Sequence, residues 1–437
     1  MSFAPSSHPA VCIRSLLVAI SCAGCATAAT VSSTTASRPV AAALESSSHG
    51  SGPTVPSHPA AEVYTTETSV PDAGDPLAAQ LTTEIEKARK RHGLAPMIRD
   101  GRLDRAARDI ALLTAAAEIP AFDATASLLS YYGVVEPNPG MLLKQGDEGA
   151  EPGAAADLEH ELSGNSAFGK WRRFGIGVKR APGQWMAVLV FHEKNVDLSP
   201  VPRRLPSAGS APLVGSIPPS LHLPEVLVSP PRGSVARLPL ASHQGSFSAR
   251  FECNQGDGMY QVEVVAQDAR GPGVVANFPV YCGIEPPPPV VTRSAPVARV
   301  SQPATVEELL LLLVNRDRQA HGLAPLVRDD RLSRIARRYS EEMSGTGEVA
   351  HVSQRSGNVL DRVKASGLSP MPTTVAENVA SALTATDAES GFMASPGHRD
   401  NILNPVLTHV GVGVAIGREE GGTVPLFFTQ VFAGYGP

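Results

Sequence analysis

A long stretch of this chain occurs twice. Residues 92–103 read HGLAPMIRDGRL and residues 321–332 read HGLAPLVRDDRL, an offset of 229 (321 minus 92). A second match follows downstream, where FGIGV at 174–178 corresponds to VGVGV at 410–414. A period this long indicates duplicated domains, because solenoid repeats have periods of about 20–50 residues. We therefore expect one domain at 77–198 and a second at 303–437.

Each copy begins with helix patterns and ends with strand patterns. In the second copy, apolar residues fall on one face of a helix at Leu332, Ile335, Ala336, Tyr339 and Met343. Residues 410–416 and 424–432 flank a glycine-rich turn, as in a β-hairpin. Helices followed by strands predict an α/β/α sandwich, an α+β fold with a mostly antiparallel sheet. Arginines along these helices, such as Arg318, are expected on solvated faces.

The segment between the two copies has a different composition. Residues 226–284 alternate apolar and polar side chains between glycine-rich turns, which predicts a small antiparallel β-sandwich. The proline-rich segments 199–225 and 285–302 are predicted to be linkers. Cys253 and Cys282 form an even pair that favours a disulfide in an exported domain; two free buried thiols are the alternative.

The N-terminus has the pattern of a secretory signal. Arg14 precedes the apolar run 16–20, and small residues with cysteines follow. Residues 1–25 are therefore predicted to be a signal peptide with a bacterial lipobox, lipidated at Cys25 or Cys22. Cleavage at the Ala-Thr-Ala of 26–28 would instead give a soluble exported protein. Residues 26–76 are rich in Ala, Ser, Thr and Pro and are predicted to be a disordered tether.

Composition excludes several classes of protein. The chain has 437 residues and a net charge of −5, so it lacks the basic surplus typical of a nucleic-acid binder. It contains no run of about 18 apolar residues, which argues against a multi-span membrane protein. We expect contact with a membrane only through a lipid anchor. The Gly-x-Ser-x-Gly elbow of one class of serine hydrolase is also absent from the sequence.

Three residues of the second copy could carry chemistry. They are His351, Glu377 and His398. Two imidazoles and a carboxylate suit a divalent metal such as zinc, or an acid/base pair with an orienting group. The residues are far apart in sequence, so only the fold can bring them together. Separate capping or surface histidines are the alternative.

A series of motifs in the second copy resembles a known family. The motifs are NRDR at 315–318, GLAPL at 322–326, His351, AEN at 376–378, FMASPGHRDNIL at 392–403, VGVG at 410–413 and FTQVF at 428–432. In this order they resemble the bacterial branch of the CAP superfamily, the SCP-like extracellular proteins, across 303–437. The resemblance implies an α-β-α sandwich, export, and a central cleft with two histidines and acidic residues that binds divalent metal in some members. His351, Glu377 and His398 are the cleft residues that it implies.

The match departs from the family pattern at two positions. Ser395 stands where eukaryotic members have a second glutamate, and Phe427 stands where their second histidine precedes Tyr-Thr-Gln. A complete four-ligand metal site is therefore not expected, although His351 and His398 with one carboxylate and water remain an alternative. In the first copy, Phe122 corresponds to His351 at the same offset, which predicts a degenerate copy with a structural or interaction role.

Two functional hypotheses follow. The first is a non-catalytic, lipid-anchored envelope protein or a secreted protein. Its cleft, lined by His351, Glu377, His398 and Ser395, would bind a small ligand, a lipid, a peptide or a cell-wall component, with no nucleic-acid partner. The second is a metal-assisted hydrolase in which His351 and His398 hold the ion and Glu377 acts as the general base.

Overall fold

The computed structural model describes residues 56–71, 74–114, 122–137, 139–165, 167–289, 303–419 and 424–435, and the backbone alone of 14–19 and 21–22. Its first strands are β1 (Arg14–Ala19), β2 (Ser21–Cys22) and β3 (Val63–Tyr64). Cys25, the alternative cleavage site 26–28 and residues 290–302 of the second linker lie outside the described residues. The tether prediction is wrong for 56–71, because Tyr64 is buried against Phe278 of the middle domain, with ring centroids 4.8 Å apart.

The first module forms a five-stranded sheet with helices. Its elements are α1 (Pro76–Arg91), β4 (Ile98–Arg99), α2 (Gly101–Leu113), α3 (Phe122–Tyr131), β5 (Gly140–Asp147), α4 (Glu151–Ser163), β6 (Arg173–Ala181) and β7 (Gln184–His192). The strand order is β1-β5-β7-β6-β4. Helix α1 begins as expected from its sequence: Asp75 accepts a hydrogen bond from the Leu77 amide, and Pro76 occupies the first helical position.

The middle domain consists of two mostly antiparallel sheets that share one core, and its short strand β9 pairs with β3 instead. Its strands are β8 (Asp197–Leu198), β9 (Val201–Pro202), β10 (Arg204–Leu205), β11 (Ser210–Ser216), β12 (His222–Ser229), β13 (Ala236–Arg237), β14 (Leu240–His243), β15 (Ser246–Glu252), β16 (Gly258–Asp268) and β17 (Gly271–Cys282). The sheet orders are β10-β17-β16-β12-β13, where β10 runs parallel to β17, and β14-β15-β11-β8. Both sheets contribute to a core that includes Leu213, Phe247, Val262 and Phe278. A disulfide joins Cys253 to Cys282.

The prediction that 199–225 is a linker is wrong. Strands β9, β10 and β11 and the start of β12 lie within it. Pro212 is tolerated in β11 because β8 pairs only with Gly215 and Ser216, so the strand has a single neighbour at Pro212. The prolines of this segment obscured the alternation of exposed and buried side chains along β11, in which Ala211 and Leu213 are buried.

The C-terminal module has helices on both faces of its sheet. Its elements are α5 (Pro303–Ala320), β18 (Val327–Arg328), α6 (Asp330–Thr346), α7 (Val359–Ala365), β19 (Thr374–Ala382), α8 (Ala385–Ala394), α9 (Pro396–Ile402), β20 (His409–Ile416) and β21 (Leu426–Gly434). The strand order is β18-β20-β21-β19-β2, with β18 parallel to β20 and the other pairs antiparallel. The predicted α+β fold is confirmed for this module.

Alternation along β21 divides the C-terminal core between two layers. Phe428 and Phe432 pack with α5 and α8, whereas Val431 and Ala433 pack with α6 and α7. Across the described residues, no helix combines the length and the apolar character needed to cross a membrane.

Matching positions of the two modules have matching contacts. Arg89 Nε donates to the Ala95 carbonyl at 2.7 Å, and Arg318 Nε donates to the Ala324 carbonyl at 2.8 Å. Both guanidinium groups are buried, so the expectation that Arg318 lies on a solvated face is wrong. The reason is that Arg318 also donates to the carbonyls of Ile402, at the end of α9, and of Asn404.

Candidate functional site

The three candidate residues come from three different elements. His351 lies in the loop after α6, Glu377 on β19, and His398 in α9. Ser395 is the N-cap of α9, and Pro396 in the first turn fixes where that helix begins. The fold brings these residues together, and all four are buried.

Glu377 lies between His351 and Arg362. His351 Nδ1 is 2.9 Å from Glu377 Oε1. Arg362 Nη2 donates to Glu377 Oε2, and the guanidinium lies over the Tyr339 ring at 3.4 Å from its centroid. In the tautomer that donates Nδ1–H to this carboxylate, His351 presents the lone pair of Nε2. Glu377 therefore orients one imidazole while its second oxygen is bound by a cation.

His398 is the second imidazole of the site. Its ring centroid lies 6.3 Å from that of His351, with 34° between the ring planes. Phe392 lies against its other side at 5.2 Å. The structure thus places the two histidines in one site rather than at separate caps or surface positions.

Buried side-chain amides form a hydrogen-bonded network beside this site. Asn378 Nδ2 donates to the His398 carbonyl at 3.2 Å and to Gln430 Oε1 at 2.9 Å. Gln430 Nε2 donates to Glu389 Oε2 at 2.9 Å. Burial raises the pKa of the Glu389 carboxyl to about 8. Asn401 Nδ2 donates to Asn378 Oδ1 at 2.9 Å, so side-chain hydrogen bonds join α9, β19, β21 and α8.

Ser395 contacts a carboxylate from another domain. Its Oγ donates to Glu263 Oε2 at 2.5 Å, and the Gly397 amide donates to Glu263 Oε1 at 3.0 Å. Glu263 belongs to β16 of the middle domain. The position that lacks the expected glutamate is therefore in contact with a carboxylate supplied by a distant part of the sequence.

The donor set does not suit a metal site made by protein ligands alone. Such sites need three or four ligands. The two oxygens of Glu377 each make one contact, to His351 and to Arg362. Within the described ranges, no three His, Cys, Asp or Glu residues are grouped so that they could hold a metal ion.

The first module differs at the corresponding position. Phe122 begins α3 there, and its amide donates to Asp387 Oδ1 of the C-terminal module at 3.2 Å. Ser390 Oγ likewise donates to Asp123 Oδ2 at 3.3 Å. This end of α3 therefore contacts α8 of the other module.

Sequence reasoning missed Arg362, Tyr339, Glu389 and Glu263 as members of the site. Asn378, Asn401 and Gln430 were inside the recognised motifs but had no assigned role. An arginine one helix away from a buried glutamate gives no local signal, and Glu263 lies on a strand of a different domain.

Comparison with known proteins identifies a family for the C-terminal module. Residues 311–432 match the family model described as CAP, Cysteine-rich secretory protein family. Uncharacterized protein YkwD of Bacillus subtilis is 38% identical over 144 residues, which is 33% of this chain and 51% of that protein. Uncharacterized membrane protein YlbC of the same organism is 35% identical over 111 residues, which is 25% of this chain and 32% of that protein. The chain thus spans about half of the length of the first relative and about a third of the second.

Solved structures give weaker matches. An extracellular protein containing a SCP domain from Bacillus anthracis matches with 19% identity and a TM-score of 0.27, covering 45% of this chain and 66% of that one. A cysteine-rich secretory protein from Staphylococcus aureus matches with 16% identity and a TM-score of 0.25, covering 56% and 81%. The sequence matches carry the assignment: residues 311–432 form a CAP domain of the Cysteine-rich secretory protein family.

Proposed function

We propose that this chain is an exported bacterial envelope protein whose C-terminal CAP domain binds a ligand in a cleft lined by His351, Glu377, His398 and Ser395. The observation that carries the proposal is the proximity of the two imidazole rings, whose centroids are 6.3 Å apart, beside a buried amide network. Burying this many polar groups is costly unless they are paired, and clusters of this kind are concentrated at functional sites.

Binding is favoured over hydrolysis by the position of Glu377. A general base needs a carboxylate oxygen that can take a proton from water. Both oxygens of Glu377 are bound, one to Arg362 and one to His351. Glu377 therefore acts as a positioning group for His351, and no step of a metal-assisted reaction follows from this donor set.

Export is supported by two observations. Two of the similar proteins are described as extracellular or secretory. The N-terminal sequence also has a signal pattern followed by candidate lipobox cysteines, Cys22 and Cys25. We propose a lipid-anchored protein that presents its folded domains at the cell envelope.

The first module is proposed to be a degenerate copy of the CAP domain. Its strand order β1-β5-β7-β6-β4 matches β2-β19-β21-β20-β18 position by position. Its buried Arg89 has the contacts of Arg318, but Phe122 replaces the cleft histidine. It would have a structural role, holding the C-terminal domain through α3 and α8.

Binding of three defined probes by the full chain tests the function. The probes are purified peptidoglycan, vesicles of phosphatidylethanolamine with phosphatidylglycerol, and a mixture of casein-derived peptides. We expect one class to bind and His398→Phe to weaken that binding at least tenfold. His321→Phe, an exposed histidine in the same domain, is the matched control. Binding that His398→Phe leaves unchanged, or no binding to any probe, would contradict the proposal.

A further inference from the structure

The hairpin made by β16 and β17 lies on the CAP domain beside His351. We call this segment, Gly258–Asp268 with Gly271–Cys282, the lid hairpin. At its turn, the Arg270 carbonyl accepts hydrogen bonds from the His351 amide at 3.1 Å and the Val352 amide at 2.9 Å. Gly271 has φ +97°, and a Cβ there would lie 3.2 Å from His351 Cβ. The turn therefore approaches the histidine loop as closely as a glycine allows.

The body of the lid hairpin contacts the residues that precede His398. Glu263 Oε2 and Oε1 accept from Ser395 Oγ and the Gly397 amide, and Asn277 Nδ2 donates to the Ala394 carbonyl at 3.0 Å. One set of contacts lies on the loop that carries His351, and the other lies at 394–397, the junction of α8 and α9 that precedes His398. His351 is 3% exposed and His398 is 0% exposed.

Glu263 is buried by the CAP domain rather than by its own domain. Its neighbours Val262 and Val264 point into the core of the middle domain, so alternation directs Glu263 to the opposite face of the sheet. A carboxylate on that face would meet solvent if the CAP domain moved away. In the structure it has no exposed surface. Desolvation raises the pKa of the Glu263 carboxyl to about 7.

A ligand-sized cavity lies next to the lid hairpin. Its volume is about 460 Å³, and all three domains contribute to its wall, including Lys170, Trp171, Gly271, Glu348 and Ala350. Ala350 precedes His351, and Gly271 lies against His351. The cavity therefore adjoins the turn of the lid hairpin that lies against the histidine loop. Known small-molecule sites have volumes of about 300–1,000 Å³. Neither His351 nor His398 lines the cavity, so ligand entry from this side would require the turn to move.

We propose that the lid hairpin closes the histidine site, and that Glu263 holds it closed through Ser395 and Gly397. Ligand entry then requires release of this interdomain contact. The proposal rests on the proposed function, because it assumes that His351 and His398 belong to a binding site. It assigns a regulatory role to the middle domain, which otherwise serves only to connect the two modules.

Histidine acylation by diethylpyrocarbonate, mapped by mass spectrometry on the full chain at pH 7, tests the proposal without a ligand. Exposed His243 and buried His192 provide internal references for open and protected rings. In the wild type we expect His351 and His398 to react at least tenfold more slowly than His243. In Glu263→Lys and in Asn277→Ala we expect both to react at least fivefold faster than in the wild type, while His192 stays protected.

Amide hydrogen exchange gives a second measurement of the same contact. The amides of His351, Val352 and Gly397 donate to the lid hairpin, so they should exchange faster in both variants. Glu252→Lys, on the exposed edge of the same domain, is the matched control and should change neither measurement. If Glu263→Lys also exposes His192, it has unfolded the chain, and Asn277→Ala alone then decides the question.

Two results would contradict the proposal that the lid hairpin closes the histidine site. One is a wild type in which His351 and His398 react as fast as His243. The other is continued protection of both rings in Asn277→Ala and in folded Glu263→Lys. Failure of the proposed function would look different: the variants would open the site, but none of the three probes would bind more tightly to them than to the wild type.

Discussion

His351 Nδ1 lies 2.9 Å from Glu377 Oε1, and this contact is the geometric centre of the candidate site. Arg362 binds the other oxygen of the same carboxylate, and all three side chains are buried. The carboxylate thus neutralises a buried guanidinium and orients an imidazole at once. The same side chain therefore belongs to the proposed site and balances a buried charge.

Replacing this carboxylate should destabilise the C-terminal domain. Glu377→Gln leaves Arg362 buried without a counter-charge, which typically costs about 3–5 kcal/mol. Amide exchange of β19 in increasing urea measures the loss locally. The double variant Glu377→Gln with Arg362→Met should recover part of it, because the uncompensated charge is gone. Equal stability of the single and double variants would contradict this account.

Two glycines in β20 allow the strand to lie directly on α6. An added Cβ at Gly413 would lie 2.1 Å from the Arg337 backbone nitrogen, and one at Gly411 would lie 2.1 Å from the Leu332 carbonyl carbon. Gly413→Ala should therefore lower the free energy of unfolding by more than about 2 kcal/mol, because the helix must shift. Gly345→Ala, in the same helix with no neighbour within 4 Å, should be neutral or stabilising. Urea denaturation compares the two.

The disulfide should stabilise the middle domain. Cys253 and Cys282 are separated by 29 residues, and closing a loop of this length contributes about 3–4 kcal/mol. Thermal unfolding with and without reductant measures the contribution. The variant with both cysteines changed to alanine should melt at the same temperature as the reduced wild-type protein. Reductant should not change its melting temperature. Alkylation of both thiols in the untreated protein would show that the bond is absent.

Lipidation should depend on one of two cysteines. In a bacterial host labelled with palmitate, the wild-type chain should take up label and partition into detergent. One of the two variants, Cys25→Ser or Cys22→Ser, should abolish both the uptake of label and the partition into detergent. The other variant should behave like the wild type and is the control. A wild type that takes up no label and accumulates in the medium would instead support cleavage at 26–28 and a soluble secreted protein.

Stability of the C-terminal domain should fall as the solution becomes alkaline. The pKa of Glu389 is about 8 in the folded protein, against 4.5 in the absence of its surroundings. The folded state therefore binds the proton more tightly, and this contribution is complete below about pH 4.5 and lost as the pH rises through about 8. Glu389→Gln can still accept from Gln430 but cannot titrate. The difference in urea midpoint between the variant and wild type, measured from pH 6 to 9, should grow with pH; a constant difference would contradict the assignment.

Local sequence patterns predicted the C-terminal domain well. The amphipathic stripe of α6 and the hairpin of β20 and β21 follow from side chains close in sequence, and the motif series led to His351, Glu377 and His398. These features depend on periodicity and on short spacings, which the chain displays directly. The same reasoning failed at 199–225, because prolines there suggested a linker, although Pro212 lies in β11 at a position with a neighbouring strand on one side only.

The sequence alone indicated two related modules around a different middle segment, favoured a disulfide between Cys253 and Cys282, and gave the resemblance of 303–437 to the CAP superfamily. Tertiary structure alone decided that Arg362 binds Glu377, that Arg318 is buried, and that Glu263 of the middle domain contacts Ser395. Each of these contacts joins residues from elements that only the packed fold makes adjacent. The sequence gives the charge of each side chain. Which group that side chain contacts depends on which surfaces become buried against each other when the domains pack.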